Sequence, residues 1–356
     1  MLYFNFAMTT SARPKALALY SGGLDSTLAI LILLEQKIEV EALSFVHDFG
    51  CGKNREHILE TAKRFGFSVN FITLEEEFIN MVKNPKHGYG KNMNPCIDCR
   101  ILMLKKAKEY ARESGASFFV TGEVLNQRPL SQKRNVLKLI DREAGLEGYV
   151  LRPLSALNLE PTIPEKEGLV KRELLFGFEG RSRKPQIALA KKFGLIDYPQ
   201  PAGGCLLTDP IYSLRFKELL KMNPNPSPRD IKLLGIGRHF RLSQSCKVIV
   251  GRNRKENEIL ERIANEGDFI LKASDYPGPT LLIAGTSGEA EWRLAASICA
   301  RYSDGKNRGP VKVTIYRPKS GEEISKTPVA EYTIETIDYD TIEKLLIAPL
   351  PYQKSL

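Results

Sequence analysis

The sequence predicts an α/β fold, a doubly wound and mostly parallel sheet, followed by a smaller C-terminal α+β domain. Through the first half, short apolar runs alternate with stretches of helical period, the pattern of strands joined by crossover helices. The first of those runs ends in a glycine-rich turn that opens straight into a helical stretch, an arrangement typical of open α/β sheets. In the last third the strand candidates are short and only two helical stretches interrupt them.

Taken in order, residues 1–14 carry little pattern and read as a flexible extension. The run 16–20 reads as a strand, 25–36 as a helix, 40–46 as a strand, 54–64 as an amphipathic helix closing near Gly66, and 68–73 as a strand. After an irregular segment come a helix at 95–113 and a strand at 117–121. Residues 126–135 are polar and read as a loop, 137–140 and 149–151 as added strands, and 165–175 and 185–193 as helices. Prolines 224, 226 and 228 disfavour helix and stiffen the backbone. They mark 223–228 as a linker between a domain at 15–222 and another at 229–356. The second domain offers strands at 246–250, 269–272, 280–284 and 311–316, and helices at 256–265 and 289–302.

At 356 residues the chain is long enough for two or three cores. Its net charge of +10 favours polyanionic partners, with nucleic acid first among them. No apolar run approaches the ~20 residues that span a bilayer, and the start lacks the pattern of an export signal. The expectation is a cytoplasmic protein without a membrane partner. Its histidines, 47, 57, 87 and 239, are scattered, which gives no support to a Ser-His-Asp hydrolase.

Chemistry concentrates at Ser21-Gly22-Gly23-Leu24-Asp25-Ser26. Glycines let the backbone come close to a phosphate, the helix start supplies amides and a positive dipole end, and Ser21 and Ser26 add hydroxyls. Asp25 is out of place among anions unless it holds a loop N–H or a metal. This stretch resembles the signature of the PP-loop ATP pyrophosphatases. The segments Thr121-Gly122-Glu123-Val124-Leu125-Asn126-Gln127 and Leu151-Arg152-Pro153-Leu154 are similar to parts of the tRNA 4-thiouridine synthases, and Asn94-Pro95-Cys96-Ile97-Asp98-Cys99 to a turn of the tRNA 2-thiouridylases. The resemblance covers roughly residues 15–210. It implies an adenine nucleotide alpha hydrolase-like fold, ATP and Mg²⁺ as cofactors, and Ser21, Gly22, Gly23, Asp25, Ser26, Thr121 and Gly122 as nucleotide contacts, with Asp25 also catalytic.

Cys96 and Cys99 lie at the start of the 95–113 helix, with Asn94 suited to the N-cap and Pro95 to the first helical position. The positive helix end is expected to lower their thiol pKa values. Cys205 follows a Pro-Ala-Gly-Gly approach and is the natural third member. Three thiolates suit a [4Fe-4S] cluster with one iron open, and the pattern resembles that of thiolation enzymes with such a cluster. This makes Cys96, Cys99 and Cys205 candidate metal ligands, with Cys96 and Cys205 also catalytic. A persulfide carried on one cysteine and released by disulfide formation, or a zinc with Cys51 as fourth ligand, are the alternatives. Cys246 and Cys299 sit in apolar contexts and read as core.

Basic residues cluster at 171–172, 181–184 and 191–192, and again at Arg238, Arg241, Arg252, Arg254 and Lys255, a distribution suited to a phosphate-backbone track. The stretch 250–258 with Asp275-Tyr276-Pro277-Gly278-Pro279 resembles the RNA-binding module of NFACT proteins, although residues 271–274 lack the aromatic and histidine usual ahead of that motif.

Together these features imply an ATP-dependent RNA sulfurtransferase, acting on tRNA by resemblance, with sulfide or a cysteine desulfurase-derived persulfide as sulfur donor. A PP-loop ligase with a nitrogen nucleophile and a non-catalytic, nucleotide-switched RNA-binding protein are the rival readings.

Overall fold

The computed structural model describes residues 14–50, 54–199, 205–318 and 327–348. The chain divides into two compact units, Met1–Thr208 and Asp209–Leu356.

The first unit runs β1 (Lys15–Leu19), α1 (Leu24–Glu35), β2 (Glu39–Val46), α2 (Arg55–Phe65), β3 (Ser68–Thr73), α3 (Glu76–Lys83), α4 (Cys96–Ser114), β4 (Phe118–Thr121), α5 (Arg134–Ala144), β5 (Val150–Leu151), α6 (Ile163–Lys166) and α7 (Lys184–Lys192). Its five strands are ordered β3-β2-β1-β4-β5 and every pair is parallel. The chain winds outward from β1 to β3, then returns to the far side of β1 for β4 and β5. Direction therefore reverses between β1 and β4, and the carboxyl ends of those two strands form the switch point where such sheets place ligands. Helix α1 is apolar nearly all round and is buried along most of its length, as expected of a helix inside the core. Gly66 closes α2 at φ 75°, a left-handed position that glycine adopts without a Cβ clash.

Several expectations are corrected. Residues 137–140 are not a strand. They lie in α5, whose buried residues Leu137, Ile140, Asp141 and Ala144 follow helical spacing. Helix α3 fills part of the segment read as irregular, burying Phe78, Ile79 and Val82. Pro95 is the N-cap of α4 instead of its first helical residue. The stretch 165–175 holds only the short α6 and a single 3-10 turn at Arg172–Leu174.

The second unit adds α8 (Pro210–Met222), α9 (Pro228–Leu234), β6 (Arg238–Arg241), β7 (Cys246–Val250), α10 (Arg254–Ile263), β8 (Phe269–Ala273), β9 (Leu281–Gly285), α11 (Glu289–Tyr302), β10 (Val311–Tyr316), β11 (Pro328–Ile334) and α12 (Tyr339–Leu345). Its sheet is antiparallel, ordered β11-β10-β8-β9-β7-β6. Val248, Leu271 and Ile283 pack with α11 residues such as Ile298 and Cys299 on one face. Ile249, Ile270 and Leu282 meet Leu233 and Leu260 on the other. The division between units falls at Thr208/Asp209, so the proline run 223–228 joins α8 to α9 inside the second unit. Pro228 opens α9, where Ser227 and Asp230 form a capping box.

Candidate active site at the switch point

Between β1 and α1 the chain turns through Gly22 at φ 73°, a conformation that favours glycine. A Cβ there would also stand 2.7 Å from Ile58 Cγ1. Gly23 is the N-cap of α1 and no side chain caps the helix, which leaves first-turn amides to solvent or ligand. Ser26 Oγ donates to the Gly23 carbonyl at 2.9 Å and lies 3.2 Å from Ser21 Oγ, while Thr27 Oγ1 donates to the same carbonyl at 3.0 Å. The hydroxyls thus knit the turn together. On the β4 side, Gly122 lies against the helix start: a Cβ on it would come within 2.5 Å of the Asp25 carbonyl carbon and of the Ser26 amide nitrogen. Thr121 Oγ1 donates to Glu123 at 3.1 Å, so its side chain sets the β4 end.

Asp25 receives a hydrogen bond from Gln127 Nε2 at 3.2 Å and has Arg183 4.0 Å away. Burial pushes its carboxyl above the usual range, against the opposing pull of Arg183, Gln127 and Arg128. Its Oδ1 is buried without a hydrogen-bond partner, and so are Gln127 Oε1 and Arg183 Nε. Buried polar atoms are nearly always satisfied, and a concentration of exceptions where an anion-binding turn meets a carboxylate fits a triphosphate with its Mg²⁺. Arg183 is the N-cap residue of α7. Sequence reading placed it only in a basic run.

Behind the turn, Arg152 is 4% exposed and ties two carboxylates together. Its Nε donates to Glu123 at 3.0 Å, and its two terminal nitrogens reach Asp141 at 2.9 and 2.7 Å. Burial alone would raise Glu123, but the Arg152 and Arg100 guanidiniums outweigh it and hold the carboxyl below its ordinary range. Arg100 Nε stands 3.5 Å from Glu123. It lies one turn along α4 from Cys96, on the same helix face. A chain of contacts therefore runs from the first turn of α4 through Arg100 and Glu123 to Gly122 and the Asp25–Ser26 backbone.

Cys96 and Cys99 occupy the first turn of α4, and Cys205 is the first described residue after 200–204. Met93 N donates to the Leu207 carbonyl at 3.2 Å and Asn92 Nδ2 to the Thr208 carbonyl at 2.8 Å. These bonds lay the Cys205 segment beside the entry to α4. Cys205 Sγ lies 3.4 Å from the Phe49 carbonyl, and Cys96 Sγ bonds Asn94 Oδ1. The expected lowering of Cys96 is corrected: burial pushes its thiol up, more than Arg100 and Arg128 pull it down. Among the described residues no group of three His, Cys, Asp or Glu side chains is arranged to hold a metal ion. Cys96, Cys99 and Cys205 are thus not among such groups. Cys51 lies outside the described residues. Cys246 and Cys299 are buried core residues, as expected.

Residues 11–164 match the family described as Thiamine biosynthesis protein (ThiI), and residues 237–338 match the NFACT protein RNA binding domain. The chain is 38% identical to argininosuccinate synthase of Listeria monocytogenes over 117 residues, 31% of this chain and 28% of that protein. It is 28% identical to a protein named "Probable tRNA sulfurtransferase" from Thermococcus kodakarensis, over 42% of this chain and 39% of the relative. To the tRNA-specific 2-thiouridylase MnmA of Pseudomonas putida it is 26% identical, over 66% of this chain and 63% of that protein. The chain thus spans less than two thirds of each of these relatives. With the sheet order and the glycine-rich turn already described, these matches make residues 11–164 similar to the ThiI family and to the tRNA thiouridine synthases, and residues 237–338 similar to the NFACT RNA-binding domain.

Proposed function

We propose that this protein is an ATP-dependent RNA sulfurtransferase acting on tRNA. The observation that supports it best is the contact chain from Cys96 to the phosphate turn, through Arg100, Glu123 and Gly122. Arg128 adds to it, since its charge acts on both Asp25 and Cys96. Nucleotide activation and thiol chemistry then share one strand edge.

In this reading a uridine carbonyl oxygen attacks the α-phosphorus of ATP, the α–β bridging bond breaks, and pyrophosphate departs. The first-turn amides of α1 and the Arg183 guanidinium offset charge on the leaving group. Asp25 Oδ1, buried without a hydrogen-bond partner, would hold a Mg²⁺ accompanying ATP, which would neutralise further charge there. The terminal sulfur of a persulfide, formed on Cys96 or Cys205 by an external persulfide donor, then attacks the activated carbon and AMP leaves. Attack of the second thiolate on the inner sulfur breaks the S–S bond, gives its electrons to the transferred sulfur and leaves a Cys96–Cys205 disulfide. An external thiol reductant resets the pair.

Incubation of the full chain with tRNA, ATP, a persulfide donor and a thiol reductant, followed by nucleoside mass spectrometry, should yield a thiouridine. Cys96→Ser and Cys205→Ser should each abolish the thionucleoside while RNA-dependent pyrophosphate release continues. Thiolation that persists undiminished in Cys205→Ser would sink the two-thiol scheme. The 38% identity to argininosuccinate synthases favours a second reading, a ligase in which a nitrogen nucleophile displaces AMP. That reading predicts a nitrogen-containing product with no dependence on a sulfur donor.

A further inference from the structure

The sheet of the second unit ends on β6, and its last strand pair sets two cations opposite each other. In the β6–β7 register Arg241 faces Lys247, and His239 faces Ile249. Directly paired residues share one sheet face with Cβ atoms about 4.5–5.5 Å apart, where like charges repel. Helix α8 brings Arg215 and Glu218 to the same place. Arg241 Nε donates to Glu218 Oε1 at 2.7 Å, and Lys247 Nζ stands 3.8 Å from Glu218 Oε2. Arg215 donates to the Leu234 carbonyl at 2.8 Å and the Gly237 carbonyl at 3.0 Å.

Among the described residues, a single contacting carboxylate therefore serves Arg241 and Lys247, with Arg215 beside them. Lys247 is 8% exposed and Arg215 9%. Arg215 Nε, Glu218 Oε2 and His239 Nδ1 are buried without hydrogen-bond partners, and His239 itself is 1% exposed. Burial pulls Lys247 down to about 8 although Glu218 opposes it, and Arg241 and Arg215 add to the fall. Among the described residues Asp230 is the one further carboxylate acting on this lysine, while Asp209 and Glu256 act on Arg215 against Arg252. Burial also keeps His239 neutral, with Lys247 and Arg215 pushing the same way. Surplus buried positive charge costs stability, and a bound anion would remove the surplus.

We infer that α8, β6 and β7 form a phosphate-binding niche in which Lys247, Arg241 and Arg215 take a phosphodiester of RNA. The choice of RNA rests on the reading above that this protein binds it. Two observations support that choice: the net charge of +10, and the placement of β6 and β7 within the match to the NFACT RNA-binding domain. Glu218 sets the niche's selectivity by charge: it pairs with Arg241 and would repel a phosphate that came too close to Oε2.

The test uses the full chain and a labelled single-stranded oligoribonucleotide, with anisotropy read across a salt series and thermal melting read with and without inorganic phosphate. Lys247→Met should bind RNA several-fold more weakly, with a salt slope shallower by about 0.7, the value of one phosphate contact on a single strand. It should melt no lower than wild type, because a repelled buried cation has been removed. Glu218→Gln should move RNA affinity the other way. Inorganic phosphate should raise the melting temperature of wild type and leave Lys247→Met unmoved. Unchanged affinity and slope in Lys247→Met would overturn the niche. If that variant fails to fold, Glu218→Gln decides alone, and an affinity no higher than wild type overturns the proposal. A wild type that binds no RNA yet gains stability from phosphate would refute the RNA assignment and leave a site for free phosphate.

Discussion

Arg152→Met is expected to remove about 3–5 kcal/mol of stability, the usual cost of leaving a buried charge without its partner. The guanidinium contacts Glu123 and Asp141 together and is 4% exposed, while Glu123 is 3% exposed. Methionine fills much of the same volume, so the loss comes from two buried carboxylates left with Arg100, 3.5 Å from Glu123, as their remaining cation. Those carboxyls will take up protons in the folded variant, which raises their folded-state pKa values above the unfolded ones near 4. A raised folded pKa contributes stability at low pH that is lost as pH rises, since the folded state then binds more protons than the unfolded. The deficit relative to wild type should therefore be largest at neutral pH and narrow toward acid. Urea denaturation of the full chain across pH measures it, and hydrogen exchange in β4 and β5 localises it. A deficit under about 1 kcal/mol would mean that water reaches the carboxylates, and that the network does not hold the end of β4 in place.

Much of this architecture can be read from the residues, and the exceptions have physical causes. Strand β3 and helix α11 fall where the sequence puts them, because their patterning is strong and their ends are marked. Helix α5 was hidden because Leu137 and Ile140 sit in a four-residue run too short to tell a strand from a buried helix face. The proline run misleads for a different reason: Pro228 disfavours helix interiors but fits a first turn. Around the candidate site, the glycines and Asp25 announce themselves locally. Arg183 and Gln127 reach Asp25 from more than 100 residues away in the chain, Arg100 reaches Glu123 from another element, and no local pattern encodes that meeting. The Cys96 thiol departs from the sequence expectation because of its surroundings. A helix start is visible in sequence, whereas the burial that raises its thiol is a product of packing.

Gly122→Ala tests the close approach of β4 to the phosphate turn. The added methyl would meet backbone atoms of Asp25 and Ser26 at 2.5–2.6 Å, and backbone cannot swing aside as a flexible side chain can. Either β4 or the start of α1 must move. Overpacking of this kind costs about 1–3 kcal/mol, a loss the fold can survive. The nucleotide site is less tolerant, because displacement of positioned groups by about 1 Å can cost on the order of 100-fold. The expected result is therefore a folded variant, modestly less stable, whose ATP affinity by calorimetry falls by roughly that factor. Gly23→Ala is the matched control: its added Cβ would meet only Ser21 Oγ at 3.4 Å, and Gly23 already has the extended backbone of an N-cap. It should bind ATP within a few-fold of wild type. Equal losses in both variants would mean that any methyl in the turn blocks the nucleotide. No loss in either would move the ATP site away from the switch point, and with it the chemistry assigned to Asp25.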